Sequence, residues 1–389
     1  MSERSDTHFD VLIAGGGVIG LACAWRASQR GLRVCVLERD RAGAGATDVA
    51  AGMLAPVGEA SWGEESLLAL NLASHELWPG FAAELEREAG ASPGYARIGA
   101  LHVALDRDEV EELRRQHDLH REHDLSSELL SGSACRELEP GLAPAVAAGV
   151  LAPHEGVADP RRLSAALLAA LRAREVEVRE GEEVVEAEFG DPVAVRTANG
   201  VELRGRYLLL AAGCHSGSAE WLPAEARPPV RPVKGEIVTL RRLPSQPARE
   251  RIVVGDRLYM VPREDGRLLV GATVSERGFD TTVTAGGVHE LLREAYRTIP
   301  DVAEMELVEA RAGLRPGSPD NAPLIGPGRA EGLLIASGHF RNGILLTPAT
   351  AEAVAAMLAG EEPATDVSAF DPGRFDRAVP SAEARGAVG

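Results

Sequence analysis

At 389 residues, 45% hydrophobic and 26% charged, the chain is long for a single hydrophobic core, and two domains are expected. A net charge of −18 repels phosphate backbones and anionic lipid, which excludes nucleic acid and membrane surfaces as partners. No apolar run is long enough to span a bilayer, and the four cysteines lack a C-x-x-C pair, so a cytoplasmic protein with reduced thiols and no metal centre is expected.

The first ordered unit covers residues 9–40. VLIA at 11–14 reads as a buried parallel strand that breaks directly into glycines. Gly15 permits a tight turn, Gly17 lets the backbone approach a pyrophosphate, and Gly20 lets the following helix pack on the strand. A second strand at 33–37 ends in Glu38, placed to accept hydrogen bonds from an adenosine ribose and, by charge, to reject a 2′-phosphate. FAD or NAD is therefore expected at this helix start.

Residues 41–56 form a small-residue loop that can lie against a planar or phosphate-bearing ligand, or serve as a flexible linker. A helix follows over 64–88, interrupted at Pro79, then a strand at 98–105 and a charged helix at 107–122. His117, His120 and His123 recur on that helix among charges, and read as a solvated face instead of a metal site. Asp159-Pro160 opens another helix. Strands are expected at 175–179, 183–189, 193–197, 202–204 and 207–213, the last ending in Ala-Ala-Gly213 where a sheet meets a nucleotide. A β-rich section spans 234–273, followed by a helix near 288–299. From Glu309 onward the chain is expected to rejoin the nucleotide domain, with a strand at 332–337 and a helix stopped by Gly360. Lys234 is the only lysine, which disfavours Schiff-base chemistry.

GGGVIG with Glu38, AAGM at 51, AAG at 213, GLRPGSPD at 313–320 and GHFRNGILL at 338–346 together resemble the D-amino-acid-oxidase-like FAD-dependent oxidoreductases, in particular the glycine oxidases of thiamine biosynthesis. The resemblance implies an α/β fold: a Rossmann-type FAD-binding domain built from discontinuous segments (1–80, 150–225, 309–365), plus an α+β substrate domain with a mixed or antiparallel sheet (81–149, 226–308). A loosely ordered tail would cover 366–389. Carried over by position, Val18, Ile19, Arg39, Ala46, Thr47, Ala51, Gly52, Met53 and Val184 join Gly15, Gly17, Gly20, Glu38 and Gly213 as implied FAD contacts. His339, Phe340, Arg341, Asn342, Gly343, Ile344 and Leu345 would run along the isoalloxazine. Arg315 and Arg341 would hold the substrate carboxylate, with Tyr259 donating to it from above. Arg257 and Val274 stand where glycine oxidases carry His and Met, which leaves substrate choice open. With no cysteine beside Arg315, the FAD would be non-covalent.

The residue chemistry is consistent with this. An arginine fork matches a carboxylate and stays charged, although Arg315 could instead pair with Asp320, and Tyr259 could be a core residue. The expected reaction is oxidative deamination of glycine, sarcosine or small D-amino acids by hydride transfer to flavin N5, with dioxygen reoxidising the flavin to give hydrogen peroxide. A quinone-linked dehydrogenase and a non-enzymatic FAD-binding subunit are the alternatives. Relatives imply a homo-oligomer.

Overall fold

A computed structural model describes residues 8–378. The glycine-broken unit forms as its spacing predicts: strand His8–Ala14, helix Val18–Gln29, strand Val34–Glu38, the two strands parallel and buried at their centres. In sheet order, Glu177–Glu180, Val34–Glu38, His8–Ala14, Glu202–Leu210 and Leu333–Ser337 are all parallel to their neighbours. Val184–Glu188, Val193–Thr197 and Leu324–Pro327 complete eight strands with antiparallel pairings. Near the carboxyl ends of the parallel strands lies the crevice in which such sheets bind ligands.

Helices Val18–Gln29, Glu65–Ala89, Pro160–Ala173 and Thr347–Ala359 share one apolar core on this sheet. Pro79 does not interrupt its helix, which runs through 25 residues and across the expected boundary at residue 80. Phe81 and Leu85 are at most 2% exposed. Burying each contributes about 1.5–3 kcal/mol, enough together to offset the roughly 3 kcal/mol cost of an interior proline.

The second eight-stranded sheet has the order Glu306–Gly317, Arg231–Arg241, Arg267–Gly271, Leu258–Pro262, Ile252–Gly255, Ala100–Ala104, Ala148–Ala152, Glu128–Ser131. All its pairings are antiparallel except Ile252–Gly255 with Ala100–Ala104. The α/β architecture with a mixed second sheet is thus present.

Several boundaries differ from expectation. Residues 309–317 do not rejoin the nucleotide sheet, because Glu306–Gly317 pairs along its length with Arg231–Arg241. The boundary at 150 falls inside strand Ala148–Ala152 of the second sheet. The strands expected at 202–204 and 207–213 are one strand, Glu202–Leu210, pairing first with Val193–Thr197 and then with Leu333–Ser337. The tail is ordered as far as it is described: Ser368–Phe370 and Pro372–Ala378 form 3-10 turns, Phe370 is buried, and Arg374 pairs with Asp320 at 2.9 Å. Residues 379–389 of that expectation lie outside the described residues. No helix among the described residues is long and apolar enough to cross a membrane.

Candidate functional site

A cleft of about 2100 Å³ runs from the carboxyl ends of the first sheet to the face of the second. That is more than a single small-molecule pocket needs. At one end, helix Val18–Gln29 starts after Gly17, which has no side chain to cover the helix end, so its positive end faces the cleft. The Thr47 hydroxyl accepts from the Val18 N–H at 3.1 Å and ties the small-residue loop to the helix start. Glu38 accepts from Gly16 N–H at 2.7 Å and from Asp40 N–H at 3.0 Å, which fixes its carboxylate at the strand end.

The loop at 41–56 is not a flexible linker. Ala46–Val49 forms a helical turn, Arg311 donates to the Asp48 carbonyl at 3.1 Å, Arg161 pairs with Asp48 at 3.0 Å, and Arg263 donates to the Ala51 carbonyl. Side chains from the second sheet and a neighbouring helix therefore hold it in place. Arg39, Ala46, Ala51, Gly52, Met53 and Val184 line the cleft with it. So do Gly15, Ile19 and Gly213, and a Cβ on Gly213 would meet nothing within 4 Å. This is a cradle that a dinucleotide fits.

Residues His339, Phe340, Asn342, Gly343 and Ile344 form the next wall. Their turn is set by Phe340 N–H to Pro316 O at 3.0 Å and Asn342 N–H to His339 O at 2.9 Å, and it runs into helix Thr347–Ala359, whose first turn donates from Ala349 N–H to Ser74 Oγ at 3.3 Å. His339 donates to or accepts from Thr350 Oγ1 at 3.0 Å, and burial pushes its imidazole down to about 3, so it is neutral. Two expected cofactor residues do not line the cleft. Gly20 is covered by the Gly15 carbonyl. The Leu345 side chain is buried in the core, and its carbonyl accepts from Ser74 Oγ at 2.7 Å and Trp78 Nε1 at 2.9 Å. Both have supporting roles.

Arg315, Arg341 and Tyr259 line the same cleft. Tyr259 stands opposite Gly271 in the sheet register, and a Cβ on Gly271 would lie 2.6 Å from its ring and hydroxyl. Arg315 crosses Gly235 of the adjacent strand, where a Cβ would lie 2.2 Å from Nη1, and it donates to the Thr273 carbonyl at 3.2 Å. Two glycines thus leave the space in which a cation and a phenol meet over the sheet. The pairing with Asp320 does not form, because Arg374 takes that carboxylate. The Phe340–Pro316 hydrogen bond places Arg341 and Arg315 one residue beyond its two ends, and Arg341 sits 5.3 Å over the Phe340 ring. Burial raises the Tyr259 hydroxyl above its ordinary value against the pull of Arg315, so it stays protonated at neutral pH and can donate. Gly235→Ala is expected to push the Arg315 guanidinium aside and weaken binding of a small carboxylate by about tenfold with the fold intact. Titrating the flavin absorbance with acetate checks this, and unchanged affinity contradicts it.

Sequence reasoning missed Glu59. It lines the cleft, and burial raises its carboxyl while the charges of Arg341 and Arg315 lower it, so it lies in the field of both arginines. Nothing in PVGEAS marks it. Its neighbour Gly58 is clamped by Glu155 Oε1 on the N–H at 2.6 Å and by Gln116 Nε2 on the carbonyl at 2.8 Å, and it packs on His102. His120 is also corrected: it is fully buried, with Nδ1 3.0 Å from Ser127 Oγ, and does not lie on a solvated face. Among the described residues, no group of three or more His, Cys, Asp or Glu could hold a metal.

Burial pushes the Glu155 carboxyl up from 4.5 to about 8. Between those values the unfolded chain carries the charge and the folded chain the proton, so this group costs stability progressively as pH rises through the window. Glu155→Gln removes that slope. In urea unfolding at about pH 5 and pH 8, the variant should gain on the parent as pH rises, and a constant difference would contradict the assignment.

Residues 10–357 match the family model described as FAD dependent oxidoreductase, DAO. The bifunctional protein ThiO/ThiG of Synechocystis is 36% identical over 377 residues, 95% of this chain and 54% of that protein. The glycine oxidase of Geobacillus kaustophilus is 34% identical over 371 residues, covering 94% of this chain and 97% of its own. A crystal structure of glycine oxidase from Geobacillus kaustophilus matches with a TM-score of 0.89 at 33% identity, over 95% of this chain and 99% of that one. The chain spans about half the length of the bifunctional relative and nearly all of the oxidase. Matched length and overall fold agree, and the chain belongs to the DAO family of FAD-dependent oxidoreductases.

Proposed function

We propose that this protein oxidatively deaminates glycine and other small amino acids to imino acids, with dioxygen as acceptor and hydrogen peroxide as co-product, and that the imine feeds thiazole synthesis for thiamine. The observation that carries this reading is the convergence of Arg315, Arg341 and Tyr259 on the cleft that also holds the dinucleotide cradle. Bound FAD supplies the two-electron acceptor. Gly15, Gly17, Val18, Ile19, Glu38, Arg39, Ala46, Thr47, Ala51, Gly52, Met53, Val184, Gly213 and residues 339–344 would hold it. Gly20 and Leu345 support that surface from behind.

The protein's own part is positioning and field. Arg315 offers its fork to the carboxylate while the Thr273 carbonyl fixes its other side. Tyr259 donates its proton-bearing hydroxyl, and Arg341 closes the site from the 339–344 turn. Cys214 also lines the cleft, but burial pushes its thiol up to about 11. It stays a thiol, which supports non-covalent FAD.

The glycine oxidase and ThiO/ThiG relatives support glycine as the substrate and thiamine synthesis as the destination. A net charge of −18 supports a protein that binds neither nucleic acid nor anionic membrane, and a cytoplasmic location is part of this reading. The edge strand Glu306–Gly317, paired on one side with Arg231–Arg241 and with Leu307 and Val308 exposed, supports a homo-oligomer. Anaerobic mixing of the FAD-loaded protein with glycine, sarcosine, D-alanine and D-proline tests the reading. Glycine should bleach the flavin, and readmitted air should restore it with peroxide. Bleaching by none of them would overturn it, and bleaching that air does not reverse would favour a quinone-linked dehydrogenase.

A further inference from the structure

Lys234 has no place in the chemistry above, yet it is the chain's only lysine and its side chain is completely buried. It lies on strand Arg231–Arg241 next to Gly235, the residue that Arg315 crosses. Strand alternation therefore puts Lys234 and Glu236 together on the face away from Arg315. There Nζ pairs with Asp280 at 2.9 Å and with Glu236 at 3.7 Å, and donates to the Thr282 carbonyl. The backbone of Lys234 pairs with Ser275 in both directions, at 2.9 and 3.0 Å. Glu236 accepts from Thr284 N–H at 2.9 Å and from its hydroxyl at 3.0 Å, and Thr273 Oγ1 accepts from the Glu236 N–H at 2.9 Å. The side chains of Lys234 and Glu236 thus hold residues 280–284 while their backbones hold Thr273 and Ser275, and the two residues fasten the segment 272–284 at both ends.

That segment faces the cleft on its other side. Its Thr273 carbonyl holds Arg315, and Val274, Glu276 and Thr281 line the cleft wall. Farther along, Phe279 stacks on His215 at 4.7 Å, and His215 belongs to the turn Gly213–Ser218 of the dinucleotide side. The segment is a strap from the carboxylate clamp to the cradle. A buried ion pair is seldom needed for stability, since apolar replacements are often neutral. A buried ammonium in a chain otherwise furnished with arginine thus calls for a geometric role.

We infer that Lys234 is a positioning residue for substrate carboxylate binding: its ammonium tethers the 272–284 strap, and the strap carbonyl at Thr273 aims Arg315 into the cleft. This rests on the carboxylate role of Arg315 proposed above. An arginine at 234 would not substitute, because a planar fork does not fit where a compact ammonium reaches two acceptors.

The test uses FAD-loaded protein and two readouts. The first is the dissociation constant of acetate, which carries the carboxylate and no amine, from the flavin absorbance change, alongside the limiting bleaching rate at saturating glycine. Lys234→Met should raise the acetate constant by about tenfold while the limiting rate stays within about threefold, the pattern of lost binding in ground and transition states alike. Asp280→Asn, at the half-exposed partner, should shift the acetate constant in the same direction and carries the test if Lys234→Met does not fold.

The second readout needs no turnover. An amine-reactive ester should spare Lys234 in the parent and label it faster in Asp280→Asn. If the parent responds to acetate and both variants match it within about twofold, the role of Lys234 is refuted. Equal labelling of parent and Asp280→Asn refutes the tether. A parent whose flavin responds to no carboxylate refutes the oxidase reading instead.

Discussion

Arg315→Ala should weaken glycine binding by about 2–5 kcal/mol, the range for removing one partner of a desolvated charge pair. That is roughly 30-fold to several thousand-fold in dissociation constant. The size follows from how the side chain is held. Its hydrogen bonds run to the Thr273 and Lys234 carbonyls, at 3.2 and 3.5 Å, with no carboxylate in direct contact among the described residues. Two carbonyls orient the guanidinium without neutralising it, so its charge remains for a ligand. Glu59, the acid in its field, is kept partly in check by burial. Arg315→Lys should recover little, because an ammonium cannot reproduce the fork. The measurement is glycine dependence of anaerobic bleaching, and an unchanged dependence would remove Arg315 from the site.

Gly20→Ala should give a protein that fails to retain FAD. A Cβ there would stand 2.0 Å from the Gly15 carbonyl oxygen and 3.3 Å from Ile13 Cγ2. The first is backbone inside the turn that opens the cradle, so no rotamer change relieves it. The helix must move off the strand, carrying Gly17, Val18 and Thr47 out of register. Overpacking of this kind typically costs about 1–3 kcal/mol. The loss in cofactor affinity adds to that, because the same turn makes the anion site. Flavin-to-protein absorbance ratio after gel filtration reads the outcome, and a stoichiometric yellow variant would contradict the assignment.

These two residues also show what a sequence can carry. Gly20 was legible because its partners are local: strand, glycine turn, helix and Glu38 fall within one short stretch, and each rule points the same way. Arg315 was legible only through the resemblance, and its environment was not. GLRPGSPD carries no alternation that marks the long strand of the second sheet on which Arg315 sits, and its glycines serve packing: a Cβ on Gly313 would strike Val49 at 2.9 Å. At Pro79 the reverse holds, since burial of Trp78, Phe81 and Leu85 outweighs a strong local breaker.

Glu59, Glu155 and His102 could not have been grouped. They come from separate parts of the chain, and the pairing of Ala100–Ala104 with Ala148–Ala152 and the loop at Gly58 bring them together. In the sequence, the rarity of Lys234 speaks only against Schiff-base chemistry. Its partners Asp280 and Thr282 lie more than 45 residues away.

The most direct measurement is the position of a carboxylate in crystals of the FAD-loaded protein soaked with acetate. The account predicts its oxygens within about 3 Å of Arg315, Arg341 and the Tyr259 hydroxyl, with the methyl group turned toward the 339–344 wall. A carboxylate bound elsewhere in the cleft, with those two arginines turned to solvent, would contradict it.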